Sequence, residues 1–292
     1  MIYLIFCILS STGIFLTFRF LDKHKIPSFP VILLNYIVAS VFGFLINPVQ
    51  TSIAEILSQP WFFLSIFIGF LFIVMFFIIA RSSSEAGISI TTVASKMSVV
   101  FPISISILIE PTDHLTLIKG TAILAALAGV LLTIYQKGIV VTDKRLMIPL
   151  ILFVGMGAVD SLVKYSQHKF VGSEDAALFS AVLFAMAFLT GLIFIPFRTR
   201  EIKSLNKAET WLWGLGLGIV NFGSIYLMVS ALNYVNEQGR NIDSSVIFGV
   251  NNIGIVSLSV IAGLIIFKEK LSTINWIGIG ISALGILLFS IS

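Results

Sequence analysis

Long apolar stretches separated by short polar connections run along the whole chain. A helix needs about 20 apolar residues to cross the hydrocarbon layer of a membrane, and about ten stretches approach that length. They lie near 2–20, 30–47, 60–80, 88–109, 115–135, 147–167, 176–197, 210–232, 243–267 and 272–290. The pattern predicts an all-α polytopic membrane protein, with about ten transmembrane helices and no room between them for a soluble catalytic domain.

The last apolar stretch of each half of the chain repeats the same pattern. Residues 115–133 (LTLIKGTAILAALAGVLLT) align without a gap to residues 271–289 (LSTINWIGIGISALGILLF). The identical pairs are Leu115/Leu271, Ile118/Ile274, Ile123/Ile279, Gly129/Gly285, Leu131/Leu287 and Leu132/Leu288. Internal repeats of this kind are typical of secondary transporters. We expect two five-helix repeats, residues 1–137 and 138–292, forming one integral membrane unit.

Composition and charge agree with a membrane protein. Hydrophobic residues make up 58% of the chain and charged residues 11%, and the mean hydropathy of +1.06 excludes a water-soluble domain. Most of the positive charge lies on one set of connections, from Arg19, Lys23 and Lys25 through to Lys268 and Lys270. Such residues are retained on the cytoplasmic side. We therefore expect a bacterial plasma membrane protein with both termini outside, whose net charge of +4 serves membrane retention rather than nucleic-acid binding.

Residues typical of metal sites and enzymes are sparse. The single cysteine, Cys7, lies within the first apolar stretch. His24, His114 and His168 lie at the ends of stretches, without the spacing of metal ligands. The chain has no H-E-x-x-H, G-x-S-x-G or Walker A motif. The sequence predicts no metal, no cofactor and no enzymatic activity.

Lys96 lies near the middle of the fourth apolar stretch. A charge at this depth costs at least about 2.5–3.5 kcal/mol on insertion scales. One interpretation is structural: the side chain extends along its own helix or neutralises a buried carboxylate. The other is that Lys96 faces a water-filled cavity and attracts an anionic group, which makes it the first candidate for substrate binding.

Further polar residues lie within the predicted spans. Asp160 and Lys164 are four residues apart on the sixth span, so both project from one helical face and can form an ion pair. Asp160 lies deeper, and its candidate partners are Lys164, Lys96 and a transported proton. The uncharged candidates for substrate binding are Asn35, Asn221, Tyr226, Asn251 and Asn252. Intramembrane asparagines commonly bond neighbouring helices, but their presence in both halves also favours a polar cavity.

An acidic residue stands shortly before the glycine-containing last span of each half, Glu110 in the first and Glu269 in the second. Further matches are Ala80 and Ala231 at the exits of the third and eighth spans, and Pro102 in the fourth. With ten spans in two halves, these features resemble the EamA-type members of the drug/metabolite transporter superfamily over essentially the whole chain. The chain departs from the pattern in the extra residues 111–114, and in Gly254 or Ile255 where a second proline is expected.

The resemblance implies that the two halves are inverted, surround a central cavity and transport by alternating access. Members of the family carry amino acids, nucleotide-linked sugars, phosphorylated sugars and other small metabolites. We expect an exporter of amino acids or related carboxylate compounds, in which Lys96 receives the carboxylate. Asp160 either organises Lys96 and Lys164 or carries a coupled proton. The expected partners are the small-molecule substrate, a proton or exchange substrate, and membrane lipid.

Two alternatives remain open from the residues. In a flippase for a lipid or lipid-linked headgroup, the same basic residues would bind a phosphate. A receptor or scaffold that transports nothing has no need of buried charges such as Lys96 and Asp160 in opposite halves.

Overall fold

The described part of a computed structural model comprises residues 2–47, 51–109, 116–135, 144–171, 175–232 and 244–290. Within these ranges the chain forms helices and no β-strand. The helices are α1 (Ile2–Lys23), α2 (Ser28–Ile46), α3 (Ile53–Ser58), α4 (Phe62–Glu85), α5 (Ile88–Met97), α6 (Val100–Ile109), α7 (Leu117–Ile134), α8 (Lys144–Phe170), α9 (Ala176–Ile193), α10 (Thr199–Ile202), α11 (Ala208–Leu232), α12 (Ser244–Ile265) and α13 (Thr273–Ser290).

The helices confirm the predicted polytopic membrane fold. In the described ranges, eight spans are long and apolar enough to cross a membrane, and two shorter apolar helices lie at Ala177–Ile193 and Thr273–Leu288. The fold therefore has ten apolar segments in the order predicted. Large apolar side chains on the outer surface, such as Phe63, Leu124 and Leu212, are 77%, 67% and 71% exposed. Such a surface suits contact with lipid.

The fourth span is broken in the middle. It consists of α5 and α6, separated by a turn at Ser98 and Val99. Pro102 has no N–H to bond the Ser98 carbonyl four residues earlier, and the Phe101 N–H bonds that carbonyl instead, at 2.9 Å. The Ser98 hydroxyl lies 2.6 Å from the Ser95 carbonyl, which it satisfies as a donor. Local hydrogen bonds therefore stabilise a break that sequence analysis treated as one continuous span.

The helices of the two halves pack in a two-fold pattern. Exchanging the halves replaces α1, α2, α4, α5–α6 and α7 with α8, α9, α11, α12 and α13. Helix α2 packs against α11 as α9 packs against α4, and α1 packs against α12 as α8 packs against α5 and α6. The pairs α2–α9 and α7–α13 map onto themselves. With five spans in each half, the second half runs in the opposite direction, so the repeats are inverted. The predicted boundary between 137 and 138 lies outside the described residues and stays a prediction.

Small residues form the contact between α7 and α13. Gly129 lies directly against Ser282, and a Cβ added to Gly285 would lie 3.0 Å from the Ala126 nitrogen. In the alignment of 115–133 with 271–289, Gly129 corresponds to Gly285 and Ala126 to Ser282. The contact of Gly129 with Ser282 and the contact of Gly285 with Ala126 are therefore equivalent, because they exchange the two halves. A two-fold axis between the halves requires this equivalence.

The Asn275 side chain joins the same two helices near their ends. Its Nδ2 donates to the carbonyls of Thr133 at 2.7 Å and Tyr135 at 2.8 Å. These carbonyls lie at the C-terminal end of α7, where backbone acceptors have no partner within the helix. The second half of the chain thus caps a helix of the first half.

Candidate functional site

Lys96 lies in the last turn of α5, just before the break in the fourth span. Its Nζ lies 5.9 Å from the centre of the Phe15 ring of α1, within the range of a cation–π interaction. Lys96 is partly exposed, whereas its neighbours Ser95 and Met97 are 2% and 0% exposed. Among the described residues, no carboxylate lies within ion-pairing distance of Nζ. The ammonium group is therefore held deep in the bundle without a direct anionic partner in the described part.

Asp160 of α8 approaches the break from the other half of the chain. Its Oδ2 lies 2.9 Å from the Ser98 hydroxyl, in hydrogen-bonding contact. It also interacts electrostatically with Lys96. The groups that act on the Asp160 carboxylate thus come from the first half, through α5 and the turn that follows it. The structure brings Lys96 and Asp160 together, as one of the interpretations of the sequence predicted.

Helix α1 forms another wall of this site. The Cys7 thiol lies near Lys96 and is within hydrogen-bonding reach of the Ser11 side chain. Its Sγ donates to the Ser224 carbonyl of α11 at 3.2 Å. Cys7, Ser11 and Phe15 are spaced four residues apart, so they share one face of α1. Sequence analysis did not assign these residues to the site, because residues of these types within an apolar stretch are ordinary in a packed helix.

Among the described residues, buried polar atoms without a hydrogen-bond partner belong to the residues adjacent in sequence to both charges. Ser95 Oγ neighbours Lys96, and Ser161 Oγ neighbours Asp160. Asn251 Oδ1 lies on α12, which packs against α1 and α5, and Asn251 and Asn252 are 6% and 8% exposed. Buried polar atoms in proteins are normally bonded. The two serine hydroxyls can therefore donate or accept a hydrogen bond with a polar ligand, and Asn251 Oδ1 can accept one.

Three other predicted site residues make different contacts. Asn221 Nδ2 of α11 donates to Asn35 Oδ1 of α2 at 3.0 Å, and both side chains are buried. This bond joins the two halves, which is the structural role that intramembrane asparagines commonly have. Tyr226 is 43% exposed and stacks on Phe222 with ring centres 5.7 Å apart. A binding role for these residues stays a prediction.

Lys164 lies one turn beyond Asp160 on α8, and its side chain is partly exposed. This position places it nearer the end of the helix than Asp160. Its predicted role in substrate binding also stays a prediction.

A second polar cluster lies at the end of the bundle where the connections carry most of the basic residues, which we call the basic end. Glu269, on the connection between α12 and α13, accepts hydrogen bonds from Ile88 N at 2.6 Å, Ser89 N at 3.2 Å and Ser89 Oγ at 2.7 Å. It thereby caps the first turn of α5. Gly87 has a φ of 92°, and a Cβ there would lie 2.5 Å from Glu269 Oε1, so only glycine fits without strain. The counterpart of Glu269 in the first half, Glu110, lies outside the described residues.

Arg19 of α1 completes this cluster. Its Nε lies 3.9 Å from Glu269 Oε1, and its guanidinium donates to the Ser83 carbonyl at 2.8 Å. Beside these residues lies a cavity of about 570 Å³, whose lining also includes Gly87, Tyr135 and Asn275. Among the described residues, no three His, Cys, Asp or Glu side chains are grouped as a metal site requires. The contacts of Glu269 with Arg19, Ile88 and Ser89 join the two halves at this end.

Comparison with known proteins agrees with the fold. Residues 150–291 match the sequence model of the EamA-like transporter family. A Haemophilus influenzae protein described as an "uncharacterized protein" is 29% identical over 288 residues, which cover 94% of this chain and 93% of that protein. A crystal structure of another protein superposes with a TM-score of 0.62 over 98% of this chain and 94% of that chain, at 16% identity. The last comparison supports the fold alone, while the family match confirms the resemblance seen in the sequence.

Proposed function

We propose that this protein carries amino acids or related carboxylate compounds out of the cell by alternating access. The proposal starts from the match of residues 150–291 to the EamA-like transporter family, which belongs to the drug/metabolite transporter superfamily. The class of the protein, a membrane transporter, follows from the family. The substrate, the direction and the mechanism are the parts that we propose.

The observation that supports this substrate class is the arrangement of Lys96 and Asp160. The two charges come from opposite halves, interact electrostatically and do not form a direct ion pair. An amino acid carries a carboxylate and an ammonium group close together. Its carboxylate would bind Lys96 and its ammonium Asp160, as charge-assisted hydrogen bonds. Asn251 Oδ1 and Ser95 Oγ are then available to bond the rest of the molecule.

The position of the site suits alternating access. Secondary transporters with inverted repeats bind substrate at discontinuous helices between the repeats, and Lys96 ends one such half-helix. The partial negative charge at the C-terminal end of α5 favours a cation there. We propose that the end with Arg19 and Glu269 faces the cytoplasm of a bacterial cell and that the termini lie outside, since Lys and Arg are retained inside.

Uptake into proteoliposomes tests the proposal. Wild-type protein is compared with Lys96→Met and with Lys207→Met, which removes an exposed lysine from the basic end. The labelled solutes include leucine, a monocarboxylate and a neutral sugar. We expect saturable leucine uptake that falls to background in Lys96→Met and is unchanged in Lys207→Met, because only Lys96 meets the carboxylate.

Normal uptake by Lys96→Met would remove the central element of the proposal. If folded wild-type protein carries no soluble compound but moves a fluorescent lipid between leaflets, the flippase alternative replaces it. Thermal unfolding of each variant establishes that a loss of uptake is not a loss of folding.

A further inference from the structure

The Ser98 hydroxyl lies between two acceptors. It is 2.6 Å from the Ser95 carbonyl oxygen and 2.9 Å from Asp160 Oδ2. A serine hydroxyl has one proton and can donate only one hydrogen bond at a time. If the proton points to the Ser95 carbonyl, which is the shorter contact, the contact with Asp160 needs a proton from the aspartic acid. A neutral Asp160 carboxyl donating to Ser98 Oγ satisfies both contacts simultaneously.

The ionised form of Asp160 needs the opposite arrangement. Ser98 then donates to the carboxylate, and the Ser95 carbonyl loses its side-chain donor. The two protonation states of Asp160 therefore differ by a rotation of the Ser98 hydroxyl, and neither needs a movement of the backbone. The chain of hydrogen bonds runs from Ser95 of α5, through Ser98 in the turn that follows, to Asp160 of α8.

The helices α4, α5, α6 and α7 pack against α8, and few of their residues are titratable. On α4, Arg81 and Glu85 pair with each other at 3.8 Å near its end. Helix α7 carries Lys119 in its first turn, and α6 has no titratable residue. On α8 itself, Lys164 follows Asp160 by one turn. Lys96 of α5 is the charge that acts on Asp160, with the Cys7 thiol of α1 beside it.

The charges of the site change with the kind of ligand. Without a ligand, the Lys96 ammonium and the Asp160 carboxylate sum to zero. A zwitterionic amino acid adds no net charge, and its ammonium can bind the ionised Asp160. A monoanionic carboxylate on Lys96 adds one negative charge beside Asp160, and an uncompensated charge inside a membrane protein is costly. One proton on Asp160 restores neutrality.

We propose that Asp160, with Ser98 as its hydrogen-bond partner, is a proton-binding site that takes up one proton when a monoanionic carboxylate occupies Lys96 and none when a zwitterion does. This inference rests on the proposed function of the same site. Proton and monoanion then move together across the membrane as a neutral pair. An inward proton gradient therefore opposes the export of a monoanion, which needs a larger outward gradient of the solute, whereas export of a zwitterion depends on the solute gradient alone.

Infrared difference spectroscopy of the full chain in detergent, recorded with saturating N-acetylleucine, which is a monoanion, and with saturating leucine, which is a zwitterion, tests the proton site without transport. Spectra recorded between mildly acidic and mildly alkaline buffer report the C=O stretch of a protonated carboxyl group. With N-acetylleucine but not with leucine, we expect a band from a buried carboxyl that is lost in Asp160→Asn and retained in Asp175→Asn, a control at the start of α9. In Ser98→Ala, the band should shift in frequency and in the pH of its midpoint. Absence of such a band, or its persistence in Asp160→Asn, would overturn the proposal.

Transport of a matched pair of solutes tests the coupling. Leucine and N-acetylleucine share a carboxylate, but only leucine has an ammonium group. With an imposed inward gradient of ~1 pH unit, coupling of one proton per anion sustains about tenfold accumulation of N-acetylleucine. An imposed membrane potential should not change the accumulation of N-acetylleucine, because the proton and the anion together carry no net charge. The accumulation of leucine should be the same with and without the proton gradient.

The two proposals fail in distinguishable ways. In Asp160→Asn, N-acetylleucine should equilibrate without accumulating, and accumulation at the wild-type level in this variant would exclude Asp160 as the coupling residue. Loss of all solute uptake, with the Asp160 infrared band intact, would refute the transport proposal and leave the proton site in place.

Discussion

Glu269 accepts a 2.6 Å hydrogen bond from the backbone N–H of Ile88. Glu269 belongs to the second half of the chain and Ile88 begins α5 in the first, so this bond joins the halves at the basic end. The other end of the same ten-residue helix carries Lys96. A single short helix therefore connects the hydrogen bonds between the halves at the basic end to the candidate site.

Glu269→Ala should lower the thermal stability of the protein in detergent. The change removes all three hydrogen bonds to the first turn of α5 and a charge that favours a helix N-terminus, a loss of about 1–3 kcal/mol. Glu201→Ala is the control, since its pairing with Arg198 is a contact between exposed groups and is worth little. Equal melting temperatures for the two variants would contradict the capping role.

Two glycines of α13 provide a matched test of the contact with α7. A Cβ on Gly278 would overlap the backbone of Thr133, whereas one on Gly280 would meet nothing within 4 Å. Gly278→Ala should destabilise the protein by about 1–3 kcal/mol, as overpacking does. Gly280→Ala should leave its melting temperature unchanged or raise it slightly. Tolerance of both substitutions would mean that the helices approach less closely than described.

A double-mutant cycle measures the bond between Asn35 and Asn221. Hydrogen bonds between membrane helices average about 0.6 kcal/mol in such cycles, so the coupling between Asn35→Ala and Asn221→Ala should be of that order. Unfolding in detergent gives the coupling energy, and uptake of leucine separates a packing role from a binding role. Loss of uptake at unchanged stability would favour the predicted contact with substrate.

The proposed orientation is tested with single cysteines in a Cys7→Ser background. Ala54 and Asn206 are exposed, on α3 and on the connection between α10 and α11. An impermeant thiol reagent added to intact cells should label Ala54→Cys, and should label Asn206→Cys only after permeabilisation. The reverse pattern would place the termini in the cytoplasm.

Sequence analysis predicted the helices well, because length and apolarity alone determine what crosses a membrane. The ten predicted spans correspond to the helices that the structure describes, and the aligned glycines Gly129 and Gly285 occupy equivalent contacts. Lys96 and Asp160 became candidates for a similar reason: a charge within an apolar stretch is costly and needs a specific environment. Their role in binding stays a prediction.

The details of the site depend on tertiary contacts that a single sequence does not contain. The break after Met97 is stabilised by hydrogen bonds of Ser98, and serine is common within membrane helices. Phe15 is one of 26 phenylalanines, and nothing in the sequence distinguishes its contact with Lys96. Glu269 was noted for its position before the last span, but its hydrogen bonds to Ile88 and Ser89 join residues about 180 positions apart.

The reciprocal contact of Gly129 with Ser282 and of Gly285 with Ala126 has the geometry of an isologous interface, in which one surface patch meets its own copy. In symmetric oligomers such a patch joins two identical subunits. Here both copies of the patch belong to one chain, so the two halves pack as the subunits of an antiparallel dimer would, with a covalent link between them. The link permits each copy to diverge. Lys96 and Asp160 are asymmetric in this sense, since each charge occurs in one half, and the candidate site is formed only where the halves meet.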